Sequence, residues 1–354
     1  MTIFVHIGTE KTGTTYIQNF LGKNRNKLLK LGYLYPQTPG IENHTKLAAY
    51  AQDDNTFDDL RGFLKNKTAK DVNKFRKAFK KELLAEVSKY CAPNILFSGE
   101  HCSSRLLTVQ EVSRLKGLLD QLGNDIKIIV YLRRQDQLLL STYSTWVKSG
   151  ATGKLDLPSQ RRTRERYDFA VLLGRWAAIF GASNLIVRPY DRDRFIDNDL
   201  LQDFAHHVGF KIGKNFVRAS KSNPSLDAEV LELLRNMNFH MPGILDEGGL
   251  RMRGVLLKFL TQLCSRDGLT MESEKLKSFL RQFEHSNKHV AENYLDSEQP
   301  YLFREYEKDT TKVPQADLSP ETISKMCAEL WLQAYGEIQR LQERIKHLNE
   351  KLGK

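Results

Sequence analysis

The chain has 354 residues, 40% hydrophobic and 27% charged, which gives ample length for a core, and no apolar run approaches the length of a membrane span. Lys and Arg total 54 against 43 Asp and Glu, a net charge of +11 that suits a polyanionic partner: nucleic acid, an acidic polysaccharide or a highly charged nucleotide. Its four cysteines, Cys91, Cys102, Cys264 and Cys327, have neither metal spacing nor dense pairing, which fits a reduced cytoplasmic compartment.

The chain opens on "TIFVHIG". No basic segment followed by a long apolar stretch stands there, so a buried first strand is expected rather than a signal peptide. "KNRNKLLK" and "NKFRKAFKKELL" are expected to be solvated helix faces. Strand-type runs recur at "NILFS", "IKIIVYL" and "NLIVRPY", with helical periodicity between them in "FRKAFKKELLAEVSKY" and "VQEVSRLKGLLDQL". Strands alternating with helices predict an α/β fold, a parallel sheet covered on both faces. Ligands of such sheets bind beyond the carboxyl ends of the strands. The segments found there are "GTEKTGTT", "GEHCSSR", "RRQDQLLLSTYS" and "YDRDRF", all rich in polar and charged groups. From about residue 220 the pattern is mostly helical, with loops at "NPSL", "MPGILDEGG" and "EQPYLF" and a break at "TKVPQADLSPE". The expected division is a main domain over 1–317 and a helical tail over 318–354. In that tail Ile338, Leu341, Ile345, Leu348 and Leu352 alternate in steps of three and four. That spacing is a coiled-coil seam, for self-association, or the buried face of a helix docked on its own domain.

The stretch Gly8–Thr15 holds two glycines, four threonines and one lysine. A strand, a glycine-containing turn and a helix N-terminus together form an anion site. Gly8 and Gly13 permit close backbone approach, Thr14 and Thr15 offer N–H and hydroxyl donors, and Lys11 adds a point charge. In loops that bind nucleoside triphosphates the lysine follows the last glycine. Here it precedes Gly13 by two residues. The third strand ends in Arg133 and Arg134, where a phosphoryl-transfer enzyme often has an Asp for Mg²⁺, and Ser141 follows Arg133 by eight residues on an expected helix. Arginine forks match phosphate oxygens, and a nearby hydroxyl completes the contact. Two separate anions are therefore expected, one at the loop and one at Arg133 and Ser141.

These residues resemble a known family. "EKTGTTY" is similar to the 5′-phosphosulfate loop of sulfotransferases, and "YLRRQDQLLLSTYS" to their 3′-phosphate motif. "LRRQD", with "SGEHCS", "WAAIFGASNLIVRPYDRDRF" and "FEHSNKHVAENYL", resembles the bacterial, carbohydrate-type branch, over roughly residues 1–305. The resemblance implies a P-loop-like fold and the donor 3′-phosphoadenosine 5′-phosphosulfate. It also implies a hydroxyl acceptor on a saccharide and no metal requirement. Carried over by position, Lys11, Thr12, Gly13, Thr14 and Thr15 would grip the 5′-phosphosulfate. Arg133 and Ser141 would hold the 3′-phosphate, and Tyr190 would lie near the adenine. Lysine beside the bridging oxygen would neutralise charge as the sulfur–oxygen bond breaks.

A sulfuryl acceptor needs a base, and "NILFSGEHCSS" places Glu100 and His101 after a strand. Sulfotransferases use a histidine or a glutamate from such a position. His101 has an unperturbed pKa suited to taking a hydroxyl proton, and Glu100 is either the base or the group that orients His101. His44 is a further candidate for the acceptor cleft. His285 and His289, four residues apart, read as a packed helix rather than a metal site. Trp146, Lys148 and Arg161, Arg162, Arg164 and Arg166 either draw in an acidic acceptor or form a solvated loop. The competing classes are a kinase or NTPase of related fold, which would need Mg²⁺, and a basic nucleic-acid-binding protein, which explains the charge but not the paired anion motifs.

Overall fold

The computed structural model describes residues 1–65, 68–158, 166–218, 226–241, 247–264, 273–295, 301–304 and 318–351. Its contacts divide the chain into two units, the first built from Met1–Gln135, Pro158–Lys221 and Leu280–Tyr306.

The first unit is a five-stranded parallel sheet in the order β2-β3-β1-β4-β5, formed by Thr2–Gly8 (β1), Tyr33–Leu34 (β2), Asn94–Ser98 (β3), Asp125–Leu132 (β4) and Leu185–Pro189 (β5). All four runs read as strands in the sequence are strands; β2, at the edge, is two residues long and too short to leave a periodic signal. Val5 faces Phe97 of β3 on one side and Ile128 of β4 on the other, so β1 is central. Ile3, Val5 and Ile7 on one face and His6 on the other are fully buried, as expected of a strand covered on both faces. The chain leaves β1 toward β3 and then crosses back to β4. The carboxyl end of β1 is therefore a topological switch point, where ligands of open α/β sheets bind.

The helices of this unit are α1 (Thr14–Lys23), α2 (Ala69–Tyr90), α3 (His101–Arg105), α4 (Val109–Leu119), the start of α5 (Gln135–Lys148), α6 (Phe169–Phe180) and α7 (Leu200–Val208), with shorter helices between. Four of them begin at a side-chain cap. Thr68 and Asp71 form a capping box on α2, as do Thr108 and Glu111 on α4, and Asp168 and Asp199 cap α6 and α7. α1 has no side-chain cap and no acidic residue in its first turn. Its inner face, Ile17, Phe20 and Leu21, packs with Tyr131 of β4 and with Leu201 and Phe204 of α7. Each such side chain contributes about 1.5–3 kcal/mol by leaving water. That packing fixes α1, and with it the N-terminus that carries the loop.

The second unit comprises Asp136–Leu157, Ser222–Phe279 and Glu307–Lys354. Its described helices are the rest of α5, then α8 (Ala228–Met237), α9 (Glu247–Leu263), α10 (Ser273–Arg281) and, after α11 (Glu284–Tyr294) of the first unit, α12 (Pro320–Lys351). Tyr143, Val147, Leu231, Leu234, Leu260 and Met326 form its core. The buried Arg253 guanidinium satisfies the end of α5 by donating to the carbonyls of Lys148 and Val147, and it also donates to Asn238 Oδ1 at 2.8 Å. Much of the "NPSL", "MPGILDEGG", "EQPYLF" and "TKVPQADLSPE" loops, together with Leu352, lies outside the described residues.

Candidate active site

The loop between β1 and α1 is pinned from three sides. Thr9 donates to the Tyr131 carbonyl of β4 twice, through its N–H at 3.1 Å and its hydroxyl at 3.0 Å. Thr12 is fully buried and its hydroxyl donates to the Thr9 carbonyl at 2.5 Å, closing the turn. Arg133, just beyond β4, donates from Nη1 to the Lys11 carbonyl at 3.0 Å.

The glycines are there for close approach. Gly8 has φ 100°, and a Cβ on it would stand 3.1 Å from Glu100 Cα and 3.2 Å from Ser103 Oγ. Gly13 has φ 73°, and a Cβ there would collide with Leu200 and stand 3.4 Å from the Tyr190 hydroxyl. Lys11, with a side chain, also adopts the left-handed region at φ 64°. That conformation costs a residue with a Cβ about 1–2 kcal/mol, so something must hold it, and the bond from Arg133 does.

Tyr16 and Ile17 are the first residues of α1 whose N–H groups reach a carbonyl, both that of Gly13, at 2.9 and 3.1 Å. The N–H groups of Thr14 and Thr15 ahead of them belong to the first turn, whose N–H groups have no partner within a helix. A site with a cation, an uncapped helix N-terminus and no acid in the first turn favours an anion.

Glu100 and His101 open α3 just after Gly99, on the other flank of the loop. Thr14 Oγ1 donates to Glu100 Oε2, which ties the first residue of α1 to the start of α3. Burial lowers the Lys11 pKa; the Glu100 carboxylate raises it and the Arg133 guanidinium lowers it further. Burial also lowers the His101 pKa, against a raising effect of Glu100, so the imidazole is neutral at neutral pH. Its Nδ1 is buried without a hydrogen-bond partner among the described residues.

The Arg133 guanidinium carbon sits 5.6 Å from the centre of the Tyr190 ring, and Tyr190 N–H donates to the Leu132 carbonyl at 2.6 Å, extending the β4–β5 ladder by one residue. Lys11, Thr12, Gly13, Thr14, Glu100, Arg133 and Tyr190 thus converge at the carboxyl ends of β1, β3, β4 and β5. Thr15, the second residue of α1, is exposed. Ser141 lies within α5, in the second unit.

No protein-family model matches this sequence. It is 27% identical over 212 residues to an uncharacterized protein of Archaeoglobus fulgidus, a match covering 57% of this chain and 55% of that protein. The chain therefore spans about half the length of that relative. Among solved structures, the sulfotransferase domain from the Synechococcus PCC 7002 olefin synthase aligns over 72% of this chain and 94% of that domain, at 12% identity and a TM-score of 0.30.

Other residues singled out from the sequence stand elsewhere. His44 is fully buried: its ring stacks on Tyr35 at 4.3 Å between centres, and its Nδ1 accepts from the Ser98 N–H at 3.2 Å. Burial lowers its pKa to about 3. Its ring is packed between Tyr35 and Phe97. Arg166 pairs with Glu10 of the loop, so this arginine buttresses the site from within. Arg161, Arg162 and Arg164 lie outside the described residues. Trp146 is exposed on α5. His289 exchanges a contact with Asn293, one turn on, and no group of three His, Cys, Asp or Glu side chains with metal-holding geometry occurs among the described residues.

Sequence reasoning missed Thr9, Glu10 and Leu200. Thr9 and Glu10 stand in the quoted loop and were readable there as polar residues. Leu200 lies far along the chain and carried no signal at all.

Proposed function

We propose that the protein is a sulfotransferase that moves a sulfuryl group from 3′-phosphoadenosine 5′-phosphosulfate to a hydroxyl of a saccharide. The observation that carries this reading is the joint held by Arg133. One guanidinium binds the carbonyl of Lys11, lies on Tyr190 and projects from the strand next to the anion loop. Two cations and an uncapped helix start therefore stand at one end of the sheet, which suits a nucleotide with anions at both its 5′ and 3′ positions.

In this reading the loop N–H groups, Thr14, Thr15 and Lys11 hold the 5′-phosphosulfate. Arg133 holds the 3′-phosphate, and Tyr190 offers its ring to the adenine. The acceptor oxygen attacks sulfur as the bond from sulfur to the bridging oxygen breaks. The electron pair of that bond leaves with adenosine 3′,5′-bisphosphate, and Lys11 neutralises the growing charge there. The acceptor proton passes to His101, neutral because burial depresses its pKa. Glu100, engaged by Thr14 and close to Lys11, ties the base's helix to the donor loop.

The test is incubation of the purified protein with the donor and a panel of glycans in the presence of EDTA, read by mass spectrometry. A gain of one sulfate on a glycan, unchanged by the chelator, supports the reading. Transfer of phosphate from ATP, with Mg²⁺ required, replaces it with the kinase reading.

A further inference from the structure

The helix α12 changes character along its length. Its first turns pack into the core of the second unit: Met326 is buried there, and Leu330, with Leu318 just ahead of the helix, packs against the same core. From Trp331 onward its large apolar side chains are open to solvent. Trp331 is 65% exposed, Tyr335 51%, Ile338 45%, Leu341 46%, Ile345 58% and Leu348 49%. Leu332, 67% exposed, stands apart at b, whereas the others share one side of the helix. Assigned to a heptad, Trp331, Ile338 and Ile345 fall at a, Ala334, Leu341 and Leu348 at d, and Tyr335 at e. A stripe of this kind, continuous over about three heptads, stays out of water only if a partner covers it.

We propose that this stripe is the seam of a parallel two-stranded coiled coil formed with a second copy of this chain. The side chains choose the occupant. Ile at consecutive a positions with Leu at consecutive d positions favours two strands in parallel, because β-branched knobs at a fit the dimer geometry. The flanking positions permit self-pairing. In a parallel pair, g of one helix meets e of the next heptad on the other. Glu337 would then meet Gln342, and Arg344 would meet Asn349, so no like charges oppose each other. Trp331 and Tyr335 add aromatic area at the end of the seam nearest the folded unit, where the helix is already anchored by Met326. That anchoring removes part of the nucleation cost that makes so short a coil marginal by itself.

Analytical ultracentrifugation of the full chain over a range of micromolar concentrations tests the proposal. The expected mass is twice the 40.8 kDa of the chain, falling to one chain in the double variant Ile338→Asp/Ile345→Asp. The double variant should keep a cooperative melt of its folded units, because both positions face solvent in the single chain, while the helical signal of the unpaired end of α12 falls along with the dimer. Orientation is read by Leu348→Cys under mild oxidation. In a parallel pair d opposes d, so a covalent dimer forms; in an antiparallel pair d opposes a and it does not. A wild-type chain that stays at single mass, including one that instead binds lipid vesicles, overturns the proposal. So does a dimer that survives both aspartates, or a dimer in which Leu348→Cys does not cross-link. None of these outcomes depends on the reaction the protein performs.

Discussion

Arg133 Nη1 donates to the carbonyl oxygen of Lys11 at 3.0 Å, so the residue that ends one strand holds the backbone of the residue that serves the neighbouring loop. Arg133→Ala removes two things at once: a charge for the 3′ group and a strut for the left-handed turn at Lys11. A hydrogen bond from a charged group is worth about 1.5–3 kcal/mol. Calorimetric affinity for adenosine 3′,5′-bisphosphate should therefore fall about 10- to 100-fold. Adenosine 5′-phosphate lacks the 3′ group, and its affinity should fall by a smaller factor, about 2- to 10-fold, through the loosened loop alone. Equal losses for the two nucleotides would leave Arg133 with the strut role only.

Lys11 and His101 should separate by kinetic signature. Lys11→Ala lowers kcat more than it lowers affinity for the product nucleotide, because the charge matters most as the sulfur–oxygen bond breaks. His101→Ala should slow transfer about 10²- to 10⁴-fold with nucleotide affinity unchanged. If Glu100→Gln abolishes transfer while His101→Ala retains most of it, the base is Glu100.

The acid limb of kcat/KM follows from the environment of His101. Burial lowers its pKa from the ordinary value of 6.5, so the imidazole stays in its proton-accepting form below that pH. Activity should fall with acid only through a pKa below 6.5, and His101→Ala should remove that limb. A limb above 6.5 in the wild type assigns the proton to another group.

Gly13 should be intolerant in a way an exposed glycine is not. Gly13→Ala places a Cβ against Leu200 at a φ of 73° and should lower both the melting temperature and nucleotide affinity, the backbone conformation alone costing about 1–2 kcal/mol. Gly174, inside α6, has nothing within 4 Å of its added Cβ, so Gly174→Ala should raise stability by about 0.5–1 kcal/mol. Thermal melts of the two variants side by side make the comparison.

Two buried histidines should make the fold acid-sensitive. Burial lowers the pKa of His6 and of His44 from 6.5 to about 3. Both are neutral when folded, whereas the unfolded chain takes up their protons below pH 6.5. Their contribution to stability is thus complete above 6.5 and is lost progressively as pH falls from there toward 3. The slope is about 1.4 kcal/mol per pH unit for each histidine. Urea unfolding at pH 7.5, 6 and 5 checks this, and His44→Gln should flatten the slope by about half.

The sequence determined the layout. Period-two and continuous apolar runs set β1, β3, β4 and β5, and periodic segments between them forced parallel pairing, because a parallel strand needs a crossover to return. The anion loop was legible too, since Gly8, Gly13, Lys11 and the threonines stand in one stretch and their chemistry is local. Tertiary structure alone decided how the parts meet. Nothing in residue spacing shows that Arg133 reaches the Lys11 carbonyl, that Thr14 binds Glu100, or that Leu200 closes over Gly13, because each contact joins residues from different strands or helices. The same limit hid the fate of His44: a histidine in a polar stretch looks available, and only packing against Tyr35 and Ser98 buries it. The apolar seam of α12 shows the converse. Periodicity defined the stripe, but a stripe reads the same whether it is covered or bare, and the fold is what leaves it bare from Trp331 to Leu348.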